Sequence, residues 1–170
     1  MTALTTDRLV LKPISVDDLS DIRAIWTDLS FTRHIMGRVL EEEEIWMRFM
    51  RDLGHWQVKG FGTWTAREKD GTFVGNVGLL DYHRTLDPAF DAPELGGGLT
   101  PSAQGRGFAK EALGAALAWA DANLPDPRTV CMVSPDNAPS MKVATRLGFR
   151  PYAETQYKTA PVILMERPRP

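Results

Sequence analysis

Apolar and polar positions along the chain change period several times, and the changes mark out its elements. Residues 8–13 (RLVLKP) alternate, with Leu9 and Leu11 on one side, and predict a first strand. Ser15 then stands as a cap before Leu19, Ile22, Ile25 and Trp26 at helical spacing. Asp17 and Asp18 fall in the first turn, where the helix dipole favours acids. Residues 29–37 are less regular. A second helical pattern opens on the four glutamates at 41–44 and gathers Ile45, Trp46, Phe49, Met50 and Leu53 on one side. After Gly60 the period drops to two. Residues 62–67 and 73–80 predict a hairpin about Lys69-Asp70-Gly71. Residues 83–93 read as an exposed loop, 94–99 as a fourth strand and 110–123 as a third helix. A short buried strand at 129–133 and a helix between Asn137 and Gly148 follow, then two closing strands at 152–158 and 162–166. The order is β-α-α-β-β-β-α-β-α-β-β, that of a mixed α/β chain.

Between the fourth strand and the third helix lies Gln104-Gly105-Arg106-Gly107-Phe108-Ala109. The first turn of a helix leaves its N–H groups unpaired, and these donors with the positive dipole end make an anion site. Arg106 and Lys110 add charge beside it, and the anion that fits is a pyrophosphate. A Walker loop is absent. The dinucleotide fingerprint fails because Lys110 stands where a small residue would have to pack. The glycines Gly96-Gly97-Gly98 weaken the preceding strand and point to a bulge or a close approach by another backbone or a ligand. Downstream, Asn137 caps a helix with Pro139 in its first turn, and Gly148 ends it.

Gln104, Gly107 and Ala109 form Gln-x-x-Gly-x-Ala. Asn137 and Ser140 form Asn-x-x-Ser ahead of Leu147-Gly148-Phe149. Two such motifs in this order resemble the GNAT N-acetyltransferase superfamily, over nearly the whole chain as a single domain, 1–170. The opening Thr6, Arg8, Leu9 and Leu11 are similar to the subgroup of ribosomal-protein N-terminal (alanine) acetyltransferases. The resemblance implies a GNAT fold of α/β (mixed α+β) class, with a twisted mixed sheet of six to seven strands flanked by about four helices. It implies acetyl-CoA as co-substrate and direct transfer, in a ternary complex, to a primary amine of a protein N-terminus or a small molecule. Gln104, Gly105, Arg106, Gly107, Phe108 and Ala109 would hold the pyrophosphate, and Leu99 and Thr100 would pair with the pantetheine arm. An N–H near Gly98 or Leu99 would polarise the thioester carbonyl.

On the same resemblance, Asn137 would bond a pantetheine amide or act as a cap alone. Ser140 would protonate the leaving thiolate or bond the helix-end backbone. Glu94, at the start of the strand facing the thioester, is the candidate base, or else an exposed strand-end carboxylate; His83 is a second candidate base or an acceptor-binding residue, or else a surface histidine. Trp26, Phe31, Arg33 and His34 would line the acceptor side. The tyrosine that the family often carries in its second motif is missing from residues 138–146. A non-catalytic acyl-CoA-binding or sensor domain of the same fold therefore stays open, as does the length of the acyl group.

Composition changes this picture little. The 170 residues are 43% hydrophobic and 25% charged with a net charge of −2, which argues against disorder and against nucleic acid as a partner. A single cysteine, Cys131, excludes an internal disulfide. His34, His55 and His83 are scattered, so no metal is expected. The four glutamates read as a solvated helix start rather than a cation site. No run reaches membrane-spanning length and the first residues do not open a signal peptide, so a cytoplasmic location is expected, with a homodimer left open.

Overall fold

A few capping residues set where each helix begins and ends. In the computed structural model, which describes residues 2–170, the Ser15 N–H donates to Asp18 Oδ2 at 2.9 Å and starts a 3-10 turn, Val16–Asp18. It runs into α1 (Leu19–Trp26). A single turn, α2 (Leu29–Thr32), is capped by Asp28, whose Oδ1 accepts the Ser30 N–H at 2.8 Å. Glu41 and Glu44 cap each other at the start of α3 (Glu42–Lys59), which ends on Gly60 at φ 74°. α4 (Phe108–Asn123) begins after Gly107, and α5 (Ala138–Arg146) is capped by Asn137.

The strands are β1 (Leu4–Thr5), β2 (Leu9–Pro13), β3 (Thr63–Glu68), β4 (Phe73–Leu80), β5 (Glu94–Leu99), β6 (Arg128–Val133), β7 (Arg150–Tyr157) and β8 (Ala160–Pro168). They form one sheet in the order β1-β2-β3-β4-β5-β6-β8-β7. Every pairing is antiparallel except that of β5 with β6. The eight strands and five α-helices slightly exceed the expected counts. The additions are the two-residue β1 and the one-turn α2, both too short to display a period. α3 runs on to Lys59, past the expected apolar cluster, because His55 and Trp56 in its last turns are buried.

From Val74 to Leu79, β4 is buried on both faces, which requires cover on each side of the sheet. On β3 the fully buried Trp64 ring meets Trp56 of α3 at 4.9 Å and Trp119 of α4 at 5.5 Å, both edge-on, tying those helices to the sheet.

One irregularity in the sheet matters most. β4 holds β5 along its whole length, but β5 and β6 share a single registered pair, Glu94 with Val130. The Val130 N–H donates to Pro93 O at 3.0 Å, and beyond that rung the two strands part. Gly97 is consequently exposed in mid-sheet. The strands are parallel, so both carboxyl ends, and the N-termini of the helices that follow them, face the open side of the wedge.

Candidate active site

The loop at the wedge mouth is held open by its glycines and by Arg8. Gly105 and Gly107 adopt φ of 75° and 83°, the left-handed region that glycine enters without strain. Among the described residues, no N–H from Gly105 to Lys110 donates to a protein acceptor. Arg8 draws the Arg106 carbonyl aside through an Nη1–O bond of 2.9 Å. Its guanidinium lies 4.4 Å over the buried Phe108 ring and pairs with Glu111 of α4. Burial alone would raise the Glu111 carboxyl, but the Thr6 hydroxyl, the Arg8 N–H and the Arg8 guanidinium together bring it below its usual range. What results is a row of six unpaired donors at the positive end of a sixteen-residue helix.

Arg106 does not bring free charge to this row. Its guanidinium grips Glu68 at 2.7 and 2.8 Å and stacks on Phe108. Lys110, Lys142 and Arg146 are exposed and form no ion pair among the described residues. Gln104 turns inward, donating from Nε2 to Leu99 O at 3.3 Å. The Thr100 N–H is taken by Val74 O of β4 at 2.9 Å and is not free for a ligand, whereas the opposite edge of β5, toward β6, is unpaired beyond Glu94. Across the wedge, Asn137 Oδ1 accepts the Ser140 N–H at 3.2 Å. Asn137 Nδ2 and Ser140 Oγ have no protein partner among the described residues, and both side chains are half-buried.

At the vertex Glu94 is buried, unlike an exposed strand-end carboxylate. Arg84 donates from Nε to Oε2 at 2.6 Å and from Nη2 to Oε1 at 3.2 Å. The same guanidinium donates from Nη1 to the Tyr157 hydroxyl at 2.6 Å. Neither Arg84 nor Tyr157 belongs to a local motif, so the sequence carried no signal for them. Cys131 lies beside this pair on β6, and burial, with the Glu94 charge adding, pushes its thiol up to about 12.

The expected acceptor residues divide. Trp26 is buried, edge-on to Phe31 at 5.3 Å. The Phe31 ring is so close to β5 that a Cβ on Gly98 would lie 2.6 Å from it, which explains the glycine there. Arg33 is exposed and donates from Nε to His34 Nε2 at 3.1 Å, and His34 Nδ1 lies 3.8 Å from Asp136 Oδ1, next to Asn137. His83 is exposed, at φ 48°, on the rim of a cavity of about 730 Å3 beyond the C-terminal end of α4, which Arg84 and Pro93 also line. Among the described residues no helix is long and apolar enough to cross a membrane, and no group of three or more His, Cys, Asp or Glu could hold a metal ion.

A sheet split between two parallel strands, with the free N–H groups of a helix start at its mouth, leaves room for a long ligand that ends in an anion. The family profile of the acetyltransferase (GNAT) domain matches residues 8–150, and the chain belongs to that family of acetyltransferases. It is similar to a putative GNAT-family acetyltransferase from Bordetella pertussis, with 32% identity over 98% of this chain and 99% of the other, at a TM-score of 0.86. An acetyltransferase from Agrobacterium tumefaciens is 28% identical over 98% and 94% of the two chains, at 0.84. A ribosomal L7/L12 α-N-protein acetyltransferase in complex with coenzyme A shares the fold, at 17% identity over 98% of each chain and 0.79.

Proposed function

We propose that this protein moves the acetyl group of acetyl-CoA directly to a primary amine, on a small molecule or a protein N-terminus. The observation that carries this reading is the row of six unpaired N–H groups from Gly105 to Lys110 at the mouth of the split sheet. These donors suit a pyrophosphate, and the unpaired edge of β5 suits the amides of a pantetheine arm. Asn137 Nδ2 is free to bond that arm from the facing side while its Oδ1 serves as the cap. An N–H near Gly98 or Leu99, with the Leu99 N–H on the edge of β5 that faces away from β4, would stabilise the oxyanion of the attacked thioester, and the unengaged Ser140 hydroxyl is the candidate donor to the leaving thiolate. Glu94 is the candidate proton acceptor for the amine, directly or through water. Cys131, the one cysteine, stays a neutral thiol with its pKa near 12, which favours direct transfer over an acyl-cysteine intermediate.

Acetyl-CoA should raise the melting temperature, because a ligand selective for the native state stabilises it by mass action. Gly107→Val should abolish that shift. A β-branched side chain at φ 83° strains the loop by roughly 1–2 kcal/mol and stands before the donors. No shift for the wild-type protein at millimolar acetyl-CoA overturns the reading. A shift without CoA release from any amine assigns a non-catalytic binding domain instead.

A further inference from the structure

Arg48, on α3, is half-buried and lacks an anion. Among the described residues the arginines without an ion pair are Arg33, Arg48, Arg146, Arg150 and Arg169, and all but Arg48 are exposed. Its guanidinium lies 4.3 Å over the Trp26 ring, and its one hydrogen bond to the protein runs from Nη2 to Met36 Sδ at 3.5 Å. Burial first, then the charges of Arg51 and Arg84, hold its pKa below the usual arginine range, against Asp52 and Tyr82.

The neighbouring carboxylates are already engaged. Asp52 accepts from Arg51 at 2.8 Å and from the Tyr82 hydroxyl at 2.9 Å, while Glu94 is held by Arg84. Glu44, one turn back on α3, also feels the Arg48 charge but is held by Arg38 at 2.7 and 2.6 Å. Four guanidiniums thus share three carboxylates, leaving one positive charge half-desolvated, an arrangement that favours an anion supplied from outside. The place is joined to the wedge through Trp26 and Phe31, since Phe31 packs on Gly98 of β5. One face of the guanidinium is stacked and one corner faces a thioether, so a planar edge is left that matches a carboxylate.

We infer that Arg48 is the subsite for a carboxylate carried by the amine acceptor, so that acceptors are amino-acid-like and cationic polyamines are disfavoured. This rests on the acetyl-transfer reading above. The carboxylate comes either from a free amino-acid-like molecule or from an acidic side chain near a peptide N-terminus.

The first test needs no turnover. An N-acetyl amino acid and the corresponding N-acetyl amino-acid amide, differing only in the carboxylate, are titrated in melting experiments without acetyl-CoA. The acid should raise the melting temperature and the amide should not. Arg48→Gln should erase the acid's effect, and Arg48→Lys, which keeps the charge but loses the planar fork, should keep part of it. In turnover, amino acids should exceed their amides by roughly tenfold or more in kcat/KM. Arg48→Gln should remove that preference through KM, with kcat and the acetyl-CoA melting shift near wild type. Preference confined to free amino acids assigns a small acceptor; preference extending to Asp-headed over Asn-headed peptides assigns a protein N-terminus. Equal melting shifts from acid and amide in the wild type, or spermidine as the best acceptor, overturns the inference. Absence of any acetyl-CoA shift instead overturns the acetyl-transfer reading, which the acid and amide arm does not depend on.

Discussion

The two bonds from Arg84 to Glu94 are unequal, 2.6 Å to Oε2 and 3.2 Å to Oε1. Taking a proton on Oε1 sacrifices only the longer one, so Glu94 can serve the amine while Oε2 stays tethered. Arg84 is itself fixed by the Tyr157 hydroxyl at 2.6 Å, which makes it a positioning residue for this carboxylate. Glu94→Gln keeps the shape and one bond but accepts no proton. Turnover should fall by roughly a hundredfold with the acetyl-CoA melting shift intact. The variant should also melt earlier, because Arg84 would then face a neutral amide, a loss of about 1–3 kcal/mol. A second variant, Arg84→Lys, separates the effects: it retains a cation for Glu94, so a proton-transfer role leaves it far more active than Glu94→Gln. Wild-type turnover in a folded Glu94→Gln protein would assign the proton to water or to the acceptor itself.

The helices α4 and α5 carry the charge that the loop lacks. Arg106 is neutralised by Glu68, whereas Lys110 in the first turn of α4, and Lys142 and Arg146 one turn apart on α5, are solvated and unpaired among the described residues. Acetyl-CoA affinity should therefore weaken as salt rises, since exposed charges are screened within a Debye length of about 8–10 Å. Calorimetry with alanine variants checks this. Replacing Lys110, Lys142 and Arg146 together should flatten the salt dependence, and Arg106→Ala should change it little. Salt-independent binding in the wild type leaves the N–H groups as the sole phosphate ligands. These elements were legible in the sequence because their geometry restricts residue choice: glycine at positive φ in the loop, asparagine at the cap, glycine after α5. The vertex was half legible. Glu94 stood at a strand start, but Arg84 is ten positions away and Tyr157 comes from β7, so only the folded chain brings them together. The three glycines of β5 announced close approach without revealing that Phe31 makes it. Arg48 looked like any polar residue on a helix, because its missing partner is a tertiary property.

At the scale of the whole molecule the sheet is two half-sheets, β1 to β5 and β6 with β8 and β7, joined by one registered pair. Segment 81–93 braces the closed end. Arg84 ties Glu94 to Tyr157, Thr155 Oγ1 donates to Asp87 O at 3.0 Å, and Arg128 of β6 pairs with both Asp91 and Glu166. This bracing holds the closed end together while the other end stays open, and the raised Cys131 thiol reports on burial beside Glu94. Burial first, and the Glu94 charge second, raise its thiol from 9.0 to about 12 in the folded chain. Burial likewise raises the Tyr82 and Tyr152 hydroxyls, with Asp52 adding at Tyr82. The sign follows from the neutral forms being favoured in the fold: this stability is fully present below pH 9.0, the unfolded thiol's value, and is lost as pH rises toward 12. Unfolding midpoints in urea should fall steadily above pH 9.0, and Cys131→Ala should flatten that fall by about one proton's worth of slope. A thiol reagent at pH 8 should react only after unfolding, and Cys131→Ala should keep its acetyl transfer near the wild-type rate. An unchanged slope in Cys131→Ala removes the burial of this thiol as the cause of the fall. A folded Cys131→Ala protein that binds acetyl-CoA yet transfers nothing makes the thiol an acyl carrier and ends the case for direct transfer.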